Sequence, residues 1–182
     1  MNIMTYLDKM STIKRWSQSH CTKSESVLEH TGFVAMYSIH MCYKYGIDPG
    51  PVLEKAILHD MEEVITGDIP TTTKYASDSI SMSIKEIESD AALLISESLF
   101  FDNAFDIWNA SKDVDTESGA IVSIADAAAV VHKILQEVSI GNRRFLEFKG
   151  NILKSLSMKL GISDEKFDSD INNLINLIGD LK

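Results

Sequence analysis

Apolar residues recur at intervals of three and four along most of the chain, and this spacing is typical of amphipathic helices. Only three prolines interrupt the pattern, at positions 49, 51 and 70. No segment shows the convincing alternation of apolar and polar residues that indicates a half-buried strand. We therefore predict an all-α fold with helices joined by short turns, and we expect the 182 residues to form a single domain.

The first long helix is predicted to begin near Ser26 and to end at Gly46. Ser26-x-x-Glu29 has the form of a capping box, in which each side chain accepts a hydrogen bond from the other residue's backbone N–H. A glycine that follows the last apolar position is a common C-terminal cap. This prediction places His30 in the first turns of the helix.

A second helix is predicted to run from Pro51 to Gly67, because proline suits the first helical position and glycine suits the end. It would carry three polar residues, His59, Asp60 and Glu63. Side chains three or four residues apart share one face of a helix, so we expect all three to project into a single cavity. The neighbouring Glu62 faces another direction and is expected to be exposed to solvent.

Further helices are predicted along the rest of the chain. A polar loop over residues 67–73 precedes a long amphipathic helix from about Ser77 to Phe100, whose role is expected to be structural. One side of that helix is apolar and consists of Ile80, Ile84, Ile87, Ala91, Leu94 and Ile95. A short helix around residues 105–108, a helix over residues 116–141 and two final helices, over residues 143–160 and 163–181, are predicted to follow.

Asp126 is unusual because four alanines and Ile124 surround it in the sequence of its predicted helix. Burying a carboxylate in such an apolar segment without a partner would cost several kcal/mol. A metal ion is one partner that removes this cost.

The composition excludes several classes of protein. Apolar residues make up 45% of the chain and charged residues 24%, so disorder is not indicated. The chain has 27 acidic and 17 basic residues, and its net charge of −10 should repel a nucleic-acid polymer. A small phosphorylated substrate is compatible with this charge, because a metal ion and a few cationic side chains can reverse its sign inside a pocket.

The cysteines and the apolar segments indicate the cellular compartment of the protein. Cys21 and Cys42 lack a metal-binding spacing and are too few for a disulfide scaffold, so we expect both thiols to be reduced. The N-terminus lacks the basic start and apolar stretch of a signal peptide, and no apolar run approaches the roughly 20 residues of a membrane span. We expect a cytoplasmic protein that does not associate with a membrane.

Two imidazoles and two carboxylates form a candidate ligand set for one divalent metal ion: His30, His59, Asp60 and Asp126. Four ligands around an ion of octahedral preference, such as Mn, Co or Fe, leave about two positions for water and a phosphoryl oxygen. Mixed nitrogen and oxygen ligands argue against calcium, and the lack of cysteine ligands argues against structural zinc. The ordinary alternative for the dipeptide is a core histidine, His59, paired with Asp60.

The run from His59 to Tyr75, HDMEEVITGDIPTTTKY, resembles the signature of the HD-domain phosphohydrolases, and most closely that of the bacterial 5'-deoxynucleotidases. The resemblance includes Arg15-Trp16 and Ser26-x-x-Glu29-His30 upstream, and Ala125-Asp126-Ala127 downstream. It covers about residues 10–140 and fades over the C-terminal helices, residues 143–181. These separated motifs occur in the same order as in the family, which makes the resemblance specific for the superfamily.

This resemblance implies a single-domain helical HD-domain bundle and a site with assigned roles. The four candidate ligands would bind the divalent metal ion, which could be Co, Mn, Fe, Mg or Zn. Glu63 would hold or deprotonate the attacking water, and Asp68 would protonate the leaving oxygen, a division of roles that is chemically consistent.

The resemblance also implies a substrate-binding pair. Arg15 would contact the phosphate with its planar guanidinium, and Trp16 would pack against the sugar or base. Lys74 would add a second phosphate contact. The ordinary alternatives are solvated surface charges for Arg15 and Lys74, and a core aromatic residue for Trp16.

The implied activity is that of a phosphohydrolase acting on small deoxynucleotides, and the leading hypothesis is release of phosphate from a 2'-deoxynucleoside 5'-monophosphate. The nearest alternative is hydrolysis of a deoxynucleoside triphosphate, such as dATP, to the deoxynucleoside and tripolyphosphate. A third hypothesis is an HD domain that binds a nucleotide without catalysis, and a fourth is a helical interaction protein. Relatives are often dimers or larger, so we expect a homo-oligomer.

Overall fold

The computed structural model describes residues 1–99 and 103–181, and the regular elements in these ranges are helices. Ten α-helices are found there: α1 (Ile3–Thr12), α2 (Val27–Tyr45), α3 (Pro49–Leu58), α4 (Glu63–Thr66), α5 (Thr71–Lys74), α6 (Asp78–Leu99), α7 (Ala104–Ser111), α8 (Glu117–Ser139), α9 (Lys149–Leu160) and α10 (Asp168–Gly179). Two 3-10 segments, Arg143–Phe148 and Glu165–Phe167, precede α9 and α10. The predicted all-α fold is confirmed.

Helix α8 is the central element, because α2, α3, α7, α9 and α10 all pack against it. Small and branched side chains on α8 are buried and allow these helices to approach closely: Ala120, Ile121, Ile124, Ala125, Ala128 and Ile134. A second apolar cluster joins α1, α4, α6 and α7. A polar side chain that projects from α8 is therefore held by the main core of the fold.

The apolar character of α8 corrects one expectation from the sequence. Within the ranges that the structure describes, α8 is the one helix long and apolar enough to cross a membrane by length and composition, with a mean hydropathy of 1.5. The sequence pattern predicts no such segment. In the fold, 67% of this apolar stretch is buried, as befits the central helix of the bundle.

Helix α2 begins as the capping box predicts. The hydroxyl of Ser26 accepts a hydrogen bond from the N–H of Glu29 at 3.2 Å, and the Glu29 carboxylate accepts one from the N–H of Ser26 at 2.8 Å. Gly46 ends the helix with a φ of +67°, a conformation that glycine adopts without steric cost. His30 is consequently fixed in the first turn of a well-capped helix.

The predicted helix from Pro51 to Gly67 is wrong, because the chain leaves the helical path after Leu58. Residues 59–62 form a turn, and α4 begins only at Glu63. The N–H of Glu63 donates to the carbonyl of Asp60 at 3.2 Å, whereas a continuous helix would direct it to His59. The carbonyl of His59 instead accepts a hydrogen bond from the ammonium of Lys112, the residue directly after α7. This break gives His59, Asp60 and Glu63 independent orientations.

Helix α6 differs from its predicted packing. Its N-terminal start agrees with the prediction, while the predicted end at Phe100 lies outside the described residues. Ala91 and Ile95 are buried as expected of a packed face. Three residues of the predicted apolar side form an outer face with exposures of 42%, 54% and 57%: Ile80, Ile87 and Leu94. The helix therefore keeps part of its apolar side outside the core.

Candidate metal centre

Three polar side chains converge beside α8. His30 projects from the first turn of α2, His59 caps the C-terminus of α3, and Asp60 follows in the turn. One nitrogen or oxygen atom from each of the three lies within 4.8 Å of the other two. The Oδ2 atom of Asp60 is 3.0 Å from Nε2 of His59 and 3.7 Å from Nε2 of His30. Both imidazoles thus present the same nitrogen to one small volume.

Asp126 reaches this group from α8, and its Oδ1 atom lies 3.1 Å from Nε2 of His30. The Asp126 side chain is 44% exposed although the alanines around it are buried. Burial of its surroundings would raise the pKa of Asp126, but the contact with His30 lowers it below its ordinary value. The carboxylate therefore lies at an opening, with His30 buried beneath it.

A backbone contact fixes the orientation of His59. Its Nδ1 atom lies 2.8 Å from the carbonyl of Ala56, so Nδ1 carries the proton and donates it to that oxygen. Nε2 is the nitrogen that faces Asp60. An imidazole oriented in this way presents Nε2 as the atom that can bind a metal ion.

The residues present fit a divalent metal ion. The Nε2 atoms of His30 and His59 are both buried and make no well-aligned hydrogen bond with the described residues, although oxygens of Asp126 and Asp60 lie 3.1 and 3.0 Å away. Leaving such atoms unpaired costs about 1–3 kcal/mol each, so a missing partner is indicated. A cation between the imidazoles and the carboxylates would supply that partner, and mixed nitrogen and oxygen donors suit transition-metal ions.

Arg15 belongs to the same cluster. Its Nη1 atom lies 3.3 Å from Oδ2 of Asp60 and 3.9 Å from Oδ1 of Asp68, and its side chain is 15% exposed. Burial would lower the pKa of the guanidinium, but the surrounding carboxylates, led by Asp60 and Glu63, raise it above its ordinary value. Arg15 is thus a mostly buried cation among acids and not a solvated surface charge.

Two further carboxyl groups lie next to this cluster. Glu63 is buried at the start of α4, and its Oε2 atom has no hydrogen-bond partner in the part of the chain that the structure describes. Burial, followed by the charge of Asp60, raises the pKa of Glu63 to about 10, although Arg15 opposes this effect. Asp68 lies in the loop after Gly67 with a side chain that is 15% exposed. The site therefore holds one buried acid, whose ionised form burial disfavours, and one partly exposed acid.

Trp16 follows Arg15 and has a φ of +63°, the only positive φ of a non-glycine residue in the described ranges. Such a conformation stores about 1–3 kcal/mol of backbone strain, and strained residues cluster at functional sites. The indole packs against Phe145 and Phe148 at ring-centroid distances of 5.3 and 5.0 Å. The 3-10 segment before α9 therefore fixes the position of the Trp16 indole.

Lys74 forms an ion pair with a glutamate of α6. Its ammonium lies 2.7 Å from Oε1 of Glu88 on α6, and its side chain is 29% exposed. Burial would lower the pKa of Lys74, but Glu88 raises it, with smaller contributions from Glu63 and Asp60. The predicted phosphate contact would require this lysine to change partners.

The prediction that Glu62 is exposed to solvent is wrong, because this residue is only 1% exposed. Its carboxylate accepts hydrogen bonds from Nε1 of Trp108 at 2.7 Å and from Nζ of Lys112 at 3.2 Å. The break after Leu58 turns Glu62 toward α7. Its partners lie 46 and 50 residues further along the chain, so local sequence pattern could not identify them.

Glu25 is a second functional candidate that the sequence analysis missed. It is only 5% exposed and lies close to both His30 and Arg15. Its position directly before the capping serine of α2 is the one local signal that could have drawn attention to it.

A helical bundle that gathers two imidazoles, several carboxylates and an arginine at one opening has the features of a metal-dependent phosphohydrolase. The family model described as 5'-deoxynucleotidase YfbR-like matches residues 2–171. The chain belongs to this YfbR-like family of HD-domain proteins and is a hydrolase.

Individual relatives agree with the family. The chain is 31% identical over 167 residues to a 5'-deoxynucleotidase of Klebsiella pneumoniae, which covers 87% of this chain and 83% of that protein. A crystal structure of an HD-domain phosphohydrolase from Listeria innocua has a TM-score of 0.74 at 21% identity and covers 100% of this chain and 94% of its own. The HD phosphohydrolase DatZ of cyanophage S-2L, bound to dA and one catalytic Zn²⁺ ion, has a TM-score of 0.67 at 17% identity over 98% and 97% of the two chains. The resemblance predicted from the separated motifs is confirmed.

Proposed function

We propose that this protein is a divalent-metal-dependent 5'-deoxynucleotidase that releases phosphate from 2'-deoxynucleoside 5'-monophosphates. The observation that carries the proposal is the convergence of two unpaired buried Nε2 atoms, from His30 and His59, with Asp60 and Arg15. Such a group can hold a cation and a phosphate side by side. The named activity of the Klebsiella relative supports the choice of substrate.

In this proposal the cation is held by four ligands: His30, His59, Asp60 and Asp126. A bound divalent ion would lower the pKa of its water and polarise a phosphoryl oxygen. Zinc, manganese, cobalt, iron and magnesium are the candidate ions. The mixed donor set favours the transition metals, and the zinc ion in the cyanophage protein supports one of them.

The surrounding residues would bind the substrate and move protons. Arg15 would hold the phosphate oxygens with its planar guanidinium. Glu63, buried beside the ligand group, would hold the attacking water and would take its proton once the charge of a bound cation favours the ionised form. Asp68, whose partly exposed side chain lies at the edge of the cluster, would return a proton to the leaving sugar oxygen.

Trp16 and Lys74 would complete the substrate site. Trp16 would pack against the deoxyribose or base, supported by its place after Arg15 and by its strained backbone. Lys74 would contribute a second phosphate contact only by leaving Glu88.

A product assay tests the proposed activity. The purified protein is incubated with dAMP, AMP or dATP in the presence of Mn²⁺, Co²⁺ or Zn²⁺, and orthophosphate and tripolyphosphate are separated by ion chromatography. We expect orthophosphate from dAMP, and less from AMP. Release of tripolyphosphate from dATP without turnover of dAMP would contradict the proposal and support the triphosphohydrolase hypothesis. Binding of dAMP without any turnover would support a non-catalytic regulator.

The site variant Asp126→Ala provides the matching control. We expect it to lose both bound metal, measured by elemental analysis after purification, and turnover. Wild-type protein without stoichiometric metal and without turnover would support the hypothesis of a helical interaction protein.

We also propose that two copies of the chain associate through the outer face of α6, made by Ile80, Ile87 and Leu94. These residues are seven apart, the repeat by which two helices pack along one seam, and all three are exposed in the single chain. Light scattering after size exclusion tests this: Ile87→Glu with Leu94→Glu should yield monomers, whereas Ile162→Glu, at another exposed isoleucine, should not. A wild-type monomer would contradict the proposal.

We further propose that the whole chain, residues 1–182, works as one HD domain in the cytoplasm, without nucleic-acid polymers or membranes as partners. Packing of Trp16 against Phe145 and Phe148 supports a single unit, because it joins the motif-bearing part, about residues 10–140, to the C-terminal helices, residues 143–181. Cys21 and Cys42 are both free thiols, which agrees with a reducing compartment. The net charge of −10 disfavours a polyanionic partner.

A further inference from the structure

Glu25 is a buried carboxylate that contacts two functional side chains at once. Its side chain is 7% exposed, and its Oε1 atom lies 3.4 Å from Nδ1 of His30 and 3.8 Å from Nε of Arg15. Both of these nitrogen atoms are buried and have no other hydrogen-bond partner among the described residues. One carboxylate oxygen of Glu25 therefore faces both His30, a candidate metal ligand, and Arg15, the candidate phosphate-binding residue.

The backbone around Glu25 explains this placement. The N–H of Arg15 donates to the carbonyl of Glu25 at 3.0 Å, and the N–H of Val27 donates to the carbonyl of Ile13 at 3.1 Å. An isolated antiparallel bridge between Lys14 and Ser26 lies between these two bonds. The segment that carries Arg15 and the segment that leads into α2 are thus tied together, with Glu25 at the tie.

His30 and His59 are oriented by different means. His59 donates its Nδ1 proton to the carbonyl of Ala56, a neighbour on its own helix. The equivalent carbonyl, three residues before His30, belongs to Val27 and already accepts a hydrogen bond from the hydroxyl of Thr31. The carboxylate of Glu25 is the acceptor within reach of its Nδ1.

We propose that Glu25 is a positioning residue, which directs the proton of His30 to Nδ1 and so presents Nε2 to the metal ion, while it holds the guanidinium of Arg15 toward Asp60. This inference rests on the proposed metal-dependent function. A carboxylate that accepts the second N–H of a metal-bound histidine fixes its tautomer and increases its basicity as a ligand. Because the same oxygen approaches Arg15, metal affinity and phosphate binding depend on one side chain.

Metal titration of the metal-stripped full-length chain tests the proposal. Binding of Mn²⁺ or Co²⁺ is measured by isothermal titration calorimetry for wild type, Glu25→Gln and Glu25→Asp. Loss of the carboxylate charge in Glu25→Gln should raise the metal Kd by about 10- to 100-fold, as expected for removal of such a partner. Glu25→Asp, which keeps the charge on a shorter side chain, should restore part of the affinity. Glu54→Gln, an exposed glutamate with the same change in charge, should bind as wild type does.

A second measurement separates positioning from a merely structural role. At saturating metal, Glu25→Gln should also raise the KM for dAMP, because Arg15 loses its support. A variant with a lower Tm but an unchanged metal Kd and KM would overturn the proposal. If Glu25→Gln does not fold, wild-type metal affinity in Glu25→Asp would overturn it as well. Absence of metal binding in the wild type would instead contradict the proposed function itself, so the two failures are distinguishable.

Discussion

Nη1 of Arg15 lies 3.3 Å from Oδ2 of Asp60, the same oxygen that lies 3.0 Å from Nε2 of His59. Burial would raise the pKa of Asp60, but His59, Lys112 and Arg15 together hold it well below its ordinary value. A charged carboxylate is thereby available as a metal ligand. The guanidinium beside it is in position to meet the phosphate of a substrate bound at the same ion.

Replacement of Arg15 by lysine should therefore impair catalysis strongly. Lysine keeps the charge but lacks the planar fork that matches both Asp60 and a phosphate, so we expect kcat/KM for dAMP to fall by about 100-fold. Metal content, measured by elemental analysis, should stay close to that of the wild type. Lys14→Arg changes an exposed neighbour and should leave kcat/KM unchanged. Wild-type activity in Arg15→Lys would exclude a phosphate-binding role for the guanidinium.

Substitution of the adjacent buried glutamates Glu62 and Glu63 should have different effects, one on stability and the other on catalysis. In Glu63→Gln the side chain keeps its shape but can no longer take a proton, so kcat should fall by roughly 100- to 10,000-fold while bound metal is retained. In Glu62→Gln the hydrogen bonds from Trp108 and Lys112 weaken, so the free energy of unfolding should fall by about 1–3 kcal/mol. Steady-state kinetics and urea denaturation of both variants test this. If Glu63→Gln turned over at the wild-type rate, another group would have to handle the water.

Local signals in the sequence were enough to predict most helices. The capping box of Ser26 and Glu29 is formed as expected, and α8 starts directly after Thr116, the residue at which its helix is predicted to begin and which caps it. These features depend on residues three positions apart, so a single sequence contains all the information that they need. The dipeptide His59-Asp60 can also be identified from the sequence alone, because histidine and aspartate are residue types that bind metal ions.

Contacts between distant segments could not be predicted from the sequence. The predicted helix stops after Leu58, where the ammonium of Lys112 donates a hydrogen bond to the backbone carbonyl of His59. These two residues are 53 positions apart in the sequence. The outer face of α6 has helical periodicity, yet the pattern cannot tell whether its partner is the core or a second chain. Periodicity shows that a face is apolar, and only tertiary packing decides what covers it.

Glu137 should make stability depend on pH. It is fully buried and accepts hydrogen bonds from Lys133 at 2.6 Å, from Asn142 at 2.8 Å and from the N–H groups of Thr22 and Lys23 at 2.8 and 2.9 Å. Burial opposes the charge, but these donors lower the pKa from 4.5 to about 2. Because the folded-state pKa is depressed, its contribution is complete above the unfolded-state value of 4.5 and is lost as the pH falls toward 2.

Glu137→Gln should accordingly lower the free energy of unfolding at pH 7 by roughly 3 kcal/mol, since it leaves the buried ammonium of Lys133 without a counter-charge. The difference between variant and wild type should stay constant from pH 7 to about 4.5 and shrink below it. Guanidinium denaturation at several pH values measures it. Glu147→Gln, an exposed glutamate, should show no comparable loss. A difference that grew on acidification would contradict the assigned role of the carboxylate.

Trp16 should report substrate binding directly. The chain has two tryptophans, and Trp108 donates to Glu62 inside the fold, whereas Trp16 follows Arg15 and packs on Phe145 and Phe148. If the indole packs against the sugar or base, dAMP should change the tryptophan emission of wild type and of Trp108→Phe, but not of Trp16→Phe. Trp16→Phe should also raise the KM for dAMP by about fivefold, since the smaller ring loses contact area worth about 1 kcal/mol. A change in emission that survived in Trp16→Phe and vanished in Trp108→Phe would place the nucleoside elsewhere, and an unchanged KM would make Trp16 a structural residue held by the two phenylalanines.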